Sequence, residues 1–145
     1  MKRAMPSQKT RSSHAQGRFP GIVAPGMDVL MVAERLNPRL RTAAVLGSSS
    51  GRYLRRCLPL NLRVTLVNAA GPGAPSDQAL ASMASSRAVV GLGRVACQRL
   101  CSLGIRHTVA PHPQWARRFG GPLAASERWY RTLLALAIRH AADHP

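Results

Sequence analysis

Along the chain, the pattern of apolar and polar positions changes at residue 28. Val29-Leu30-Met31-Val32-Ala33 is an unbroken apolar run bounded by Asp28 and Glu34, which fits a strand covered on both faces, as in parallel sheets. Three further runs have strand character: 63–68 (RVTLVN), 88–92 (AVVGL) and 107–110 (HTVA).

Helical spacing fills the intervals. One of Ser48, Ser49 or Ser50 is placed to cap a short helix carrying Tyr53, Leu54, Cys57 and Leu58, which Pro59 stops. Pro75-Ser76-Asp77 opens a second helix with Ala79, Leu80, Met83 and Ala84 on one face. A third, over 94–103, sets Ala96, Leu100 and Leu103 on one side and ends at Gly104, a good terminator. Ser126 precedes a long amphipathic helix whose Tyr130, Leu133, Leu134, Ala137, Ile138 and Ala141 follow the 3.6-residue period, with Arg128, Arg131 and Arg139 elsewhere on its surface.

Strands alternating with helices predict βαβ units and an α/β fold: a three-layer α/β/α arrangement around a four-stranded parallel sheet. Ligands of such sheets bind outside the carboxyl ends of the strands. Three polar side chains leave strands at that edge: Glu34 after the first, Asn68 at the end of the second, and His112 after the fourth. Each has a plain structural reading. Glu34 can pair with one of many arginines, Asn68 can cap a turn, and His112 can order a proline-rich loop. Their common placement at one edge favours function.

The 145 residues fit one domain, read as a basic flexible arm over 1–26 and a folded body over 27–145. Apolar residues make up 46% of the chain, enough for a sizeable core, and no run reaches the ~18 apolar residues of a membrane span. Lysine plus arginine number 21 against five acidic residues, a net charge of +16 that points to a polyanionic partner such as nucleic acid. Nearly all of those cations are arginine, which biased codon usage enriches without selection for binding, so where the charge sits matters more than its sum. It is spread through the body as well as the arm. Cys57, Cys97 and Cys101 are too few for a disulfide framework. Cys97 and Cys101 share a helix face but lack a CxxC or a histidine at ligand spacing, so small buried hydrophobes are the better reading and no metal or cofactor is expected. The basic start of the chain lacks the apolar stretch of a secretion signal, and an intracellular, cytoplasmic protein is expected.

Four segments resemble the uracil-DNA glycosylase superfamily in a short, divergent form: VAERLNPR at 32–39, LVNA at 66–69, VVGLGRVA at 89–96 and HPQWARRF at 112–119. The glycine- and serine-rich GSSSGRYL at 47–54 is similar to a stretch in phage and bacterial members, hence a bacterial or phage-infected cell as the expected setting. The sequence departs from the family pattern in having Ala33 where a glycine usually precedes the acidic residue, and Gln114 where a serine usually follows His-Pro.

The resemblance implies an enzyme that flips a damaged base, usually uracil, out of DNA and hydrolyses its N-glycosidic bond, acting as a monomer without a cofactor. Cleavage passes through a sugar oxocarbenium and a uracil anion. Glu34 is the first candidate to position water and Asn37, in an Asn-Pro pair, the second. His112, as neutral imidazole, would donate to O2 of the base, and Asn68 would read its Watson–Crick edge. Tyr53 is a candidate to stack on the flipped base, or else part of the core. Trp115 is a candidate wedge for the vacated stack, or else packs beneath Arg117 and Arg118. Arg35, Arg39, Arg41, Arg117 and Arg118 flank the implied pocket and could grip phosphates. Two alternatives stand beside this one: a catalytically inactive glycosylase-like DNA-binding protein, and a nucleotide-binding enzyme holding phosphate at Gly91-Leu92-Gly93.

Overall fold

The computed structural model describes residues 26–34, 49–119 and 121–144. The expected arm over 1–26 lies outside them apart from Gly26, as do Arg35, Asn37, Arg39 and Arg41. The described chain runs β1 (Asp28–Ala33), α1 (Ser49–Cys57), β2 (Arg63–Asn68), α2 (Asp77–Ala84), β3 (Ala88–Leu92), α3 (Arg94–Ser102), β4 (Thr108–Ala110), α4 (Pro113–Phe119) and α5 (Leu123–Asp143). All strand pairings are parallel, in the order β2-β1-β3-β4.

Alternation along β1 divides the core. Val29, Met31 and Ala33 face Tyr53, Leu54, Tyr130, Leu134 and Ile138 of α1 and α5. Leu30 and Val32 face Leu80 of α2 and Ala96 and Leu100 of α3. With apolar cover on both sides, an uninterrupted hydrophobic run is what a central parallel strand requires, and the fold is the expected three-layer α/β/α. Among the described residues no helix is long and apolar enough to cross a membrane.

Helix ends follow local chemistry. The Ser76 hydroxyl accepts from the Ala79 amide at 3.1 Å and starts α2. Past α3, the Ile105 amide reaches Leu100 O at 2.9 Å and the Gly104 amide reaches Cys101 O at 3.0 Å, a Schellman closure.

Several elements differ from expectation. The His-Pro stretch is a helix, α4, because Pro113 sits at its first position, where the absent N–H costs nothing. The long helix begins at Leu123, before Ser126, whose buried hydroxyl accepts from Tyr53 Oη at 2.9 Å and donates to Leu123 O at 3.0 Å rather than capping. β4 starts at Thr108 because His107 Nδ1 donates to Ile105 O at 2.8 Å, which ties it to the preceding turn. Of the cysteines, Cys57 is buried, where desolvation pushes its thiol up to about 11, but Cys97 is half-buried and Cys101 is exposed. The expectation of small buried hydrophobes at 97 and 101 therefore fails at Cys101.

Gly91 lets α3 approach the sheet. A Cβ there would lie 2.6 Å from Cys97 Sγ and 3.2 Å from Leu100 Cδ1. Gly91→Ala is expected to destabilise the protein by about 1–3 kcal/mol through overpacking. Adding Cys97→Ala should recover much of that loss, because it vacates the contested space. Denaturant unfolding of the single and double variants measures both; additive losses would show that Cys97 is not the obstruction.

Candidate functional site

The strand order places the topological switch between β1 and β3, since the chain leaves β1 toward β2 and returns on its other side. The residues that follow these strands are Glu34 and Gly93, and the site builds outward from them.

Gly93 closes β3 and caps α3 with φ 93° and ψ 174°, a conformation essentially confined to glycine. Its amide donates to Ala110 O at 3.0 Å, extending the ladder to β4. A Cβ on Gly93 would lie 3.1 Å from Cβ of His112, so the bare backbone makes room for that residue. Gly91 and Gly93 thus both have packing reasons of their own.

His112 is the cap of α4. Its carbonyl accepts from the Ala116 amide at 3.1 Å, and its ring Nδ1 accepts from the Gln114 amide at 3.0 Å. An accepting Nδ1 carries no proton, so the neutral ring bears its hydrogen on Nε2, and adding a second proton would break the cap. Burial pushes the imidazole below its ordinary range, and the negative charge of Glu34 partly opposes this. His112 is therefore a neutral imidazole presenting an Nε2–H donor, with no acceptor for it among the described residues. Tyr130 holds the residue before it, donating from its hydroxyl to Pro111 O at 2.5 Å.

Glu34 is set apart by ion pairing. The chain has five acidic residues. Asp28 pairs with Arg63 at 2.7 Å, Asp77 with Arg99 at 2.9 Å, Glu127 with Arg56 at 2.9 Å and Asp143 with Arg139 at 3.7 Å. Among the described residues only Glu34 has no basic partner, although it is exposed in a strongly cationic protein.

Asn68 ends β2 in register with Ala33, one strand away from the residue before Glu34. It is 4% exposed, and its Oδ1 is buried without a hydrogen-bond partner among the described residues. A buried carbonyl oxygen left this way costs about 1–3 kcal/mol, which a bound donor would recover. The loop after it is braced by Arg99, whose guanidinium donates to Ala69 O at 3.1 Å, Pro75 O at 2.6 Å and Asp77 Oδ1 at 2.9 Å.

The structure thus brings Glu34 within electrostatic reach of His112 and places Asn68 on the same carboxyl edge, one strand from β1 and on the flank opposite β4. Tyr53 does not join them. It is fully buried, stacks on Tyr130 with ring centroids 5.7 Å apart and bonds to Ser126, so base stacking gives way to a core role. Trp115 lies in the first turn of α4. It is 49% exposed and leans on Trp129, with centroids 5.9 Å apart. Arg117 and Arg118 are exposed on the same short helix. Arg99, Trp129 and Tyr130 escaped the sequence reading as site elements, and Gly93 was singled out there only as part of a phosphate-holding Gly91-Leu92-Gly93. Two hollows, one of them about 210 Å³ beside Arg87 and Arg106, lie at the opposite, amino edge of the sheet. Residues 35–48, which follow Glu34 in the sequence, lie outside the described residues. No group of three His, Cys, Asp or Glu side chains suited to a metal occurs among the described residues. No family model, curated protein or solved structure matches the chain.

The depressed basicity of His112 has a measurable consequence. Below about pH 6.5 the unfolded chain takes up a proton that the folded ring resists, so this group lowers stability as pH falls from there through its folded value. Histidine NMR should show a titration below about 6.5 and the Nε2–H tautomer. His112→Asn, which can still cap α4, should flatten the stability–pH slope in that window. A ring titrating above the ordinary value, or protonated at Nδ1 while neutral, would contradict the assignment.

Proposed function

We propose that the protein is a DNA glycosylase of the uracil-DNA glycosylase kind, hydrolysing the N-glycosidic bond of a flipped uracil or related base. The observation that carries this reading is a pair of opposite hydrogen-bonding demands on one sheet edge. Asn68 Oδ1 is buried and lacks a donor, while His112 Nε2–H is a neutral donor lacking an acceptor. An imide-bearing pyrimidine supplies both complements. Its N3–H would donate to Asn68 Oδ1 and its O4 would accept from the Asn68 amide, while O2 would accept from His112. Asn68 and His112 lie at opposite ends of the sheet order, three strand spacings or ~14 Å between backbones, a gap that two side chains and one ring can span.

In this mechanism negative charge grows on the base as the glycosidic bond breaks. A neutral Nε2–H already oriented by the Gln114 amide stabilises O2 without reorganising. Glu34, unpaired among the described residues, holds water against the sugar and faces the oxocarbenium with its negative charge. Asn37 is the second candidate for the water, and Arg35, Arg39, Arg41, Arg117 and Arg118 would take phosphates.

Uracil-containing single- and double-stranded oligonucleotides should yield abasic sites on incubation with the protein, read by alkaline strand cleavage. His112→Ala should slow excision by about 10²–10³-fold. Asn68→Asp should lose uracil and gain some activity on cytosine, because a protonated carboxyl reverses the pairing at the exocyclic group. Excision that survives Glu34→Ala, Asn37→Ala and His112→Ala would refute the assignment, and salt-sensitive binding without excision would leave the DNA-binding alternative.

A further inference from the structure

Both tryptophans of the chain, Trp115 and Trp129, sit side by side on the outer surface where α4 meets α5. Trp115 is 49% exposed and Trp129 39%, with ring centroids 5.9 Å apart and planes inclined by 47°. Two adjacent, partly exposed indoles make a continuous aromatic surface. Tyr130 continues the row inward, 6.4 Å from Trp129, and ends at Pro111 O, the residue before His112. The row is therefore held rigidly beside the carboxyl edge of the sheet.

Its surroundings are cationic. Arg117 and Arg118 follow Trp115 and are exposed, and Arg128 precedes Trp129 and is exposed. Arg117 and Arg128 make no ion pair with any described carboxylate, and Glu127, the acid next in sequence to Arg128, is already held by Arg56. Partly exposed indoles beside Arg117 and Arg128 match a ligand with flat apolar rings on a polyanionic backbone.

We propose that Trp115 and Trp129 form a stacking platform for single-stranded nucleic acid, with Arg117 and Arg128 gripping its phosphates. A duplex hides its base faces and would engage only the arginines, so the surface selects single strands. That the bound strand continues into the edge carrying Asn68 and His112 rests on the glycosylase reading. The platform itself does not, and binding is measured apart from excision.

Because no other tryptophan is present, tryptophan emission excited at the red edge, where tyrosine does not absorb, reports this surface alone. Titrating the full chain with an oligothymidylate of about 15 nucleotides should quench it strongly, and a duplex of equal length should quench it much less. Trp115→Ala and Trp129→Ala should each weaken single-strand binding roughly tenfold, with the salt slope unchanged. Trp115→Phe should retain most of the affinity. Arg117→Ala and Arg128→Ala should each lower the salt slope by about one. Unquenched fluorescence at saturation, or alanine variants that bind as tightly as the parent, would overturn the platform. So would self-association in the absence of nucleic acid that Trp115→Ala abolishes, since a second copy would then be the occupant. Failure of excision with these binding results intact would count against the glycosylase alone.

Discussion

The structure depends on covering β1 from both sides. Leu30, Met31 and Val32 are completely buried, so no polar group can be placed along the middle of the strand without a large desolvation cost. Chemistry is displaced to the strand ends, where backbone ladders stop and side chains of several strands meet. Two bonds past the regular ladder keep those ends in step: the Ala69 amide to Ala33 O at 2.6 Å and the Gly93 amide to Ala110 O at 3.0 Å. Through them the rigidity of the core is extended to Asn68 on one side and to His112 on the other.

At that edge, structural and chemical roles are combined in one side chain. The imidazole of His112 starts a helix with one nitrogen, and the same bond decides which nitrogen carries hydrogen. Gly93 gives it space, and Tyr130 anchors the chain just before it. Asn68 is held differently, by burial, with Arg99 bracing the loop behind it through three acceptors. Among the described residues Glu34 is the exception, the other four acidic side chains each being held by an arginine.

The sequence made the layers legible because strands buried on both faces leave uninterrupted apolar runs, and 63–68 and 88–92 coincide with β2 and β3. Capping chemistry was legible at Ser76 and Gly104 for the same kind of local reason. Ser126 misled because a serine before an apolar period is an equally good cap or a partner for a buried hydroxyl, and only tertiary packing against Tyr53 decides between them. The α4 helix was hidden since Pro-His-Pro reads as an extended segment until the second proline is seen to occupy a helix's first position. The polar triad at the edge could be named from strand ends alone. Its supports, Arg99 and Tyr130, could not, because one is among 19 arginines and the other lies on the core stripe of α5.

The outermost strand, β4, is three residues long and is followed at once by Pro111 and Pro113. Imide nitrogens cannot donate to an added chain, and three residues offer too short a template for one to align. Short length and prolines thus discourage growth of the sheet on that flank. Its exposed Val109 therefore sits on a strand too short and too proline-bound to start a fibril-forming ribbon, and the flank that leads to His112 is guarded against pairing with copies of its own backbone.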